Sequence, residues 1–281
     1  MTASKRSIKI GISALALGLA LAGGPVPLFG AEQEQELAEQ GKKVKLNVGG
    51  IDQQGAKITG IVKYGGKVSK TKKVIDMSSD KFCTVSHAQP VPRQLHRVFG
   101  TNGEDKVIQN VFVWISKGLE SKDFSVPGKP VVLNQNGCIY TPHLMGVMVG
   151  QELHVLNNDK TNHNVHSYVG RKTVDNNASG PGSTIRWKFK RAMKLKVKCD
   201  VHSWMTGYVH VVEHPFFAVT QDDGTFELRG VPPGEYEVSV WHEYRRYKPD
   251  NEKLTVKVAE GETKKIEFTY KPQKRESKKK P

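Results

Sequence analysis

Four residues of this chain could together do chemistry that none could do alone. Cys199, His202 and Met205 fall within the run CDVHSWM, a C-x2-H-x2-M spacing, and His163 precedes them. A loop of that length can turn three side chains onto one ion, and the fourth donor must come from elsewhere in the fold. One thiolate and two imidazoles in a near-trigonal plane, with a long, weak thioether on the axis, are the donors of a blue, electron-transferring copper site. The expected centre is therefore one type 1 copper per chain, held by His163, Cys199, His202 and Met205.

The cysteine count bears on this. The chain has three cysteines, so one disulfide leaves one thiol over. Cys83 and Cys138 are the natural pair, which leaves Cys199 among the metal donors, where the ion would drive its deprotonation. The competing possibility is that Cys199 joins a disulfide and its histidine neighbours are incidental. No C-x-x-C-H is present for haem attachment, and a binuclear copper centre would need a second loop cysteine.

The elements that must position these residues read as strands. Ala56–Tyr64 is a β-branched run ended by Gly65 and Gly66. Residues 67–105 are loop-rich, with Pro90 and Pro92 opposing regular structure. Lys106–Ser116 is apolar on both faces and is predicted as one central strand. Further strands are expected at 130–133, 145–157, 163–169, 184–190, 195–199 and 207–212, and no segment shows helical periodicity. Many short strands between Gly, Asn and Pro turns predict an all-β protein, an antiparallel sandwich in Greek-key order. Successive strand residues face opposite ways, so His163 and Val165 share one face while Asn164 and His166 share the other. Only one of the two histidines can then face a given ion. A second, smaller sandwich is expected downstream. Asp223-Gly224 is a hairpin-type turn, Phe226 and Leu228 share a face, and Val231-Pro-Pro-Gly234 reverses the chain into alternating Tyr236, Val238 and Val240. The strands 254–258 and 266–270 complete it.

At His163-Asn-Val-His166 and the C-x2-H-x2-M run, the chain resembles the cupredoxins, and among them the amicyanin group most closely. The specific resemblance covers 138–212 and the general one 56–212. It implies His163 as first ligand, Cys199 as thiolate, His202 as second imidazole with its edge nearest the surface, Met205 as axial thioether, and Asn164 as a brace between ligand loops. The segment from Cys83 to Cys138 has no counterpart in that group, which leaves the partner surface open. Residues 224–242 resemble carboxypeptidase regulatory-like, or transthyretin-like, modules, which stabilise or bind rather than catalyse. Over most of its expected mature length the chain also resembles exported proteins loosely labelled as methylamine-utilisation proteins. The implied division is a signal peptide (1–31), a polar leader and linker (32–55), a cupredoxin domain (56–213), a regulatory-like domain (214–270) and a basic tail (271–281).

The rest of the composition narrows function further. Lys5, Arg6 and Lys9 precede an apolar run from Gly11 to Gly24, the layout of a secretory signal. That run is short of the roughly 20 residues that span a bilayer, although extension to Gly30 would allow an uncleaved anchor. Export to the periplasm or another extracytoplasmic space is expected, with membrane contact only through an uncleaved N-terminus or the basic tail. The net charge of +15 comes in good part from the two ends, and nothing resembles a nucleic-acid module. His143, His154, His210, His214 and His242 are expected to be structural, Met145 and Met148 to be core, and Trp204 to shield the ion. A multicopper oxidase or copper nitrite reductase would need a histidine adjacent to the cysteine, and here the neighbours are Lys198 and Asp200. The expected function is single-electron transfer between protein redox partners rather than enzymatic catalysis. A copper carrier or store, or a non-redox binding sandwich, is the alternative.

Overall fold

The computed structural model describes residues 55–67, 74–93, 98–100 and 106–273. The expected signal peptide, nearly all of the leader and the tail beyond Gln273 lie outside the described residues. In chain order the elements are β1 (Ala56–Tyr64), the five-residue helix α1 (Lys81–Val85), β2 (Val98–Gly100), β3 (Lys106–Ile108), β4 (Phe112–Lys117), β5 (Val131–Gln135), β6 (Tyr140–Thr141), β7 (Leu144–Met148), β8 (Glu152–Asn157) and β9 (His163–Val169). There follow β10 (Lys172–Ser179), β11 (Thr184–Lys188), β12 (Met193–Lys198), β13 (Thr206–Val212), β14 (Phe217–Val219), β15 (Thr225–Val231), β16 (Gly234–Trp241), β17 (Tyr247–Pro249), β18 (Lys253–Val258) and β19 (Thr263–Pro272). The protein is all-β, as expected.

Two sandwiches result. In the first, the sheet β10-β9-β12-β13-β7 faces the sheet β11-β8-β5-β6 across a core that includes Leu133, Val155, Val165, Leu195, Val197 and Val209. In the second, β17-β19-β1-β3-β2 with β15 beside β1 faces β14-β4-β16-β18 across Ile58, Val113, Phe226, Val238 and Phe268. A third cluster of Phe112, Leu144, Met148, Val212 and Phe217 joins residues of both and forms the seam.

The pairing differs from the expected division at 213/214. β1 pairs antiparallel with β15 and parallel with β19, the latter in unbroken register from Lys57↔Thr263 to Tyr64↔Tyr270. β4 pairs with β14 and β16. The first sandwich is thus an insertion within the second. An apolar strand face suits either core, so the side-chain pattern of 56–64 could not say which partner it takes.

Further features also depart from expectation. The single strand at 106–116 is two, divided at Asn110, whose left-handed φ of 60° lets the chain pass from one sheet to the facing one. The run 145–157 is broken at Gly150, with φ 82°, into β7 and β8. The sheets are mixed, since β5–β8, β7–β13 and β1–β19 run parallel. β10 and α1 were not foreseen. KTVDNNAS has too few β-branched residues to announce a strand, and one turn of helix is too short to show a period.

Candidate metal centre

β9 and β12 are antiparallel neighbours with Lys198 opposite His166. That register brings the start of β9 beside the loop that leaves β12. Along β9 the side chains alternate, with His163, Val165 and Ser167 buried and Asn164, His166 and Tyr168 half-buried. His163 therefore points into the core and His166 away from it. The loop closes on itself through Cys199 N–H to Met205 O at 3.3 Å and Met205 N–H to His202 O at 2.9 Å. This turn buries Cys199, His202 and Met205 and leaves Asp200 and Val201 exposed.

The structure brings three of the four expected donors into one cluster. His163 Nδ1 and His202 Nδ1 are 2.9 Å apart, and Cys199 Sγ is 3.9 and 3.8 Å from them. A point equidistant from these three atoms lies about 2 Å from each, close to the ~2.0–2.3 Å of bonds from small d-block ions to imidazole and thiolate. The far nitrogens fix the tautomers. His163 Nε2 donates to Asp159 Oδ2 at 2.8 Å, and His202 Nε2 donates to Asp80 Oδ2 at 3.1 Å, since an ionised carboxylate can only accept. Both Nδ1 lone pairs then face each other and a sulfur inside a buried space. Such an arrangement is repulsive unless a proton or a cation lies among them, so the donor chemistry fits a metal ion. Met205 is buried on the same loop, 1% exposed.

Electrostatics agree with the geometry. Burial pushes the Cys199 thiol up, but hydrogen bonds from His163, the Asn164 and His202 N–H groups and the His202 ring outweigh it and bring the thiol down to about 7. Burial opposes a charge on His163, yet Asp159 and Cys199 beside it raise it to about 9. Asp159 is likewise opposed by burial but held below the usual carboxylate range by His163 and by the N–H groups of Cys138 and Gly137. Asp80 is lowered first by the Cys83 N–H and then by His202.

Asn164 accepts from Asp200 N–H through Oδ1 at 2.6 Å and donates through Nδ2 to Asp200 at 2.9 Å and to Asn176 at 2.8 Å. It ties the strand bearing His163 to the loop bearing Cys199. Cys83 and Cys138 form a disulfide and Cys199 is free and buried. Trp204 packs against His202, with ring centroids 5.1 Å apart, and donates from Nε1 to Cys138 O at 3.0 Å. One expectation is corrected: the His202 edge does not reach the surface. Asp80 covers its Nε2, and the residue is only 2% exposed. Asp80 and Asp159 were not singled out from the sequence. An aspartate before a short helix and another in Asn158-Asp159-Lys160 have no local feature that separates them from turn residues. The remaining histidines join no donor cluster among the described residues. His143 pairs with Glu243, His214 bonds Ile115 O and His210 lies among aromatic rings.

No protein-family profile and no curated protein matches the chain. Solved structures do. A copper-containing nitrite reductase from Thermus scotoductus SA-01 is similar at 18% identity and a TM-score of 0.29, over 35% of this chain and 26% of that one. A reduced amicyanin variant is similar at 21% identity and 0.28, over 35% of this chain and 97% of amicyanin. A purple cupredoxin from Nitrosopumilus maritimus is similar at 23% identity and 0.26, over 29% and 97%. The chain thus spans about a quarter of the nitrite reductase.

Proposed function

We propose that this protein is an exported mononuclear copper protein that passes single electrons between protein partners and has no catalytic activity of its own. The observation that carries this reading is the buried triangle of His163 Nδ1, His202 Nδ1 and Cys199 Sγ, with each imidazole's other nitrogen already committed to a carboxylate. His163, Cys199 and His202 would hold the ion, with Met205, buried on the same loop, as a weak fourth donor. A copper ion bound there supplies a one-electron Cu(II)/Cu(I) couple.

The chain's own residues provide the rest. Asp159 and Asp80 keep the proton on Nε2 of each imidazole, so Nδ1 stays available. The core residues around Cys199 exclude water and protect the thiolate from oxidation. Asn164 holds the β9 strand and the ligand loop together, so the donors are in place before and after an electron arrives. Partner access would be at the loop end, where Val201 is 62% exposed beside His202. The second sandwich, with its regulatory-like resemblance, would support this site rather than react. The disulfide suits an oxidising compartment, and among the described residues no helix is long and apolar enough to cross a membrane.

The test is the visible spectrum and voltammetry of the copper-loaded protein. One copper per chain, an intense thiolate-to-copper band and a reversible one-electron wave are expected. Two tightly held coppers, or no such band, would defeat the reading. An irreversible wave with loss of copper on reduction would move the protein to the carrier class.

A further inference from the structure

The two carboxylates behind the imidazoles are held by the two halves of one disulfide. Asp80 accepts Cys83 N–H at 3.0 Å through Oδ1 and holds His202 Nε2 through Oδ2. Asp159 accepts Gly137 N–H at 2.6 Å through Oδ1 and Cys138 N–H at 2.8 Å through Oδ2, the same oxygen that holds His163 Nε2. Gly137 and Cys138 both have left-handed backbones, φ 67° and 54°, so their successive N–H groups converge on one anion. A left-handed conformation is unusual for cysteine and needs its surroundings to hold it. Both half-cystines are fully buried. The path Cys83–Asp80–His202 on one side and Cys138–Asp159–His163 on the other are thus joined covalently at the S–S bond, and the Trp204 bond to Cys138 O ties the ligand loop to the same point.

We infer that the Cys83–Cys138 disulfide is a clasp that fixes both imidazoles of the centre, acting through Asp80 and Asp159 as positioning residues. The inference rests on the metal-site reading of His163 and His202. Its physical basis is that a carboxylate orients a ring only if the carboxylate is itself fixed, and here the fixing groups are the backbone amides of the two cross-linked residues. An asparagine at 80 would keep its oxygen on the Cys83 N–H and turn an N–H toward His202 Nε2, favouring the tautomer with the proton on Nδ1, where the metal lone pair should be. At 159 both oxygens already accept backbone N–H groups, so an asparagine amide meets a donor in either orientation and its hold on His163 Nε2 is lost.

The test uses the metal-free, nitrogen-15-labelled full chain, with imidazole tautomers read by long-range proton–nitrogen correlation and cobalt(II) titrated separately. At pH 10, above the value of about 9 to which His163 is raised, its ring is neutral, and wild type should carry Nε2–H and no Nδ1–H on both rings. Asp80→Asn should shift His202 alone and Asp159→Asn His163 alone, each weakening cobalt(II) binding about 10–100-fold. Cys83→Ser with Cys138→Ser should leave both rings as tautomer mixtures. Should that double variant not fold, amide exchange in Asp159→Asn keeps the question open to test. The Cys83 amide, across the S–S bond, should exchange faster along with that of Cys138. Unchanged tautomers in the aspartate variants, or exchange that quickens at Cys138 alone, would overturn the clasp. Absence of the thiolate-to-copper band in wild type would defeat the copper reading and leave these tautomer results standing.

Discussion

The two sandwiches bury different things. The core of the second is mostly hydrocarbon and tyrosine, with Ile58, Val238, Val256, Phe268 and Tyr270 at or near zero exposure, and its buried Thr220 and Ser239 bond only within that sandwich. The first buries a comparable set of aliphatics but adds a polar network at the end that holds His163. Gln135 donates to Ser179 Oγ at 2.8 Å, Asn157 donates to Ser179 O at 2.7 Å, and Asn157 Oδ1 accepts Asp159 N–H at 3.0 Å. Burial of apolar surface stabilises without preferring a direction. Satisfied hydrogen bonds in a low-dielectric interior do prefer one, and they fix where atoms sit. The second sandwich supplies stability, and the first spends some of its interior on aiming Asp159 at His163.

The largest effect should come from Cys199→Ser. A hydroxyl cannot replace the thiolate, so the visible charge-transfer band of the copper-loaded protein should vanish completely. A coloured variant would show that the three-donor cluster is not the centre. The matching change on the other side is Phe268→Ala, which empties a site that is 2% exposed. Chemical unfolding should show a loss of about 3–5 kcal/mol, while the spectrum of the folded fraction stays as in wild type. Loss of colour in folded Phe268→Ala protein would mean that the two cores are not separable in this way.

That contrast also explains what the sequence could disclose. The cluster of His163, Cys199 and His202 was legible because C-x2-H and a histidine on an alternating strand are local patterns, and the face of His163 followed from a period of two. β1 and β9 were predicted with the bounds the structure has. The partners of β1 were not, because a pairing between Lys57 and Thr263 is a property of topology and leaves no mark on either strand. Asp80 and Asp159 were missed for the same reason. Their meaning depends on a ring far along the chain or on backbone N–H groups that only the folded loop turns toward them. Asn110 resembles any turn residue until its φ of 60° is known.

A smaller effect is expected at the seam. His210 is buried against Phe112 and Trp241, with ring centroids at 4.2 and 4.5 Å, and Lys194 is its cross-strand partner. Burial first, and the Lys194 charge second, hold its imidazole well below the usual 6.5. The unfolded chain therefore takes up a proton below about pH 6.5 that the folded chain does not. Stability should rise with pH in that range and fall on acidification, by up to about 1.4 kcal/mol per pH unit from this one group. Urea unfolding between pH 5 and 8 should show this slope in wild type and a shallower one in His210→Leu. Equal slopes would remove His210 from the account.

The smallest change expected is at His166, although it lies three residues from a donor. Its ring bonds Asp200 through Nδ1 at 2.7 Å and Thr173 through Nε2 at 2.9 Å, on the half-buried face of β9. His166→Ala removes those contacts at a cost of about 1 kcal/mol or less. Asp200 keeps its two bonds to Asn164, so the brace between β9 and the ligand loop survives. The copper spectrum should then be nearly that of wild type, whereas His163→Ala should abolish it. The pair isolates one variable, the side of the strand on which an imidazole lies, because both residues share a strand and a residue type and each has its own carboxylate partner, Asp159 or Asp200. If His166→Ala bleached the protein as fully as His163→Ala, the second imidazole face would be part of the centre. The alternation along β9 would then no longer separate ligand from neighbour.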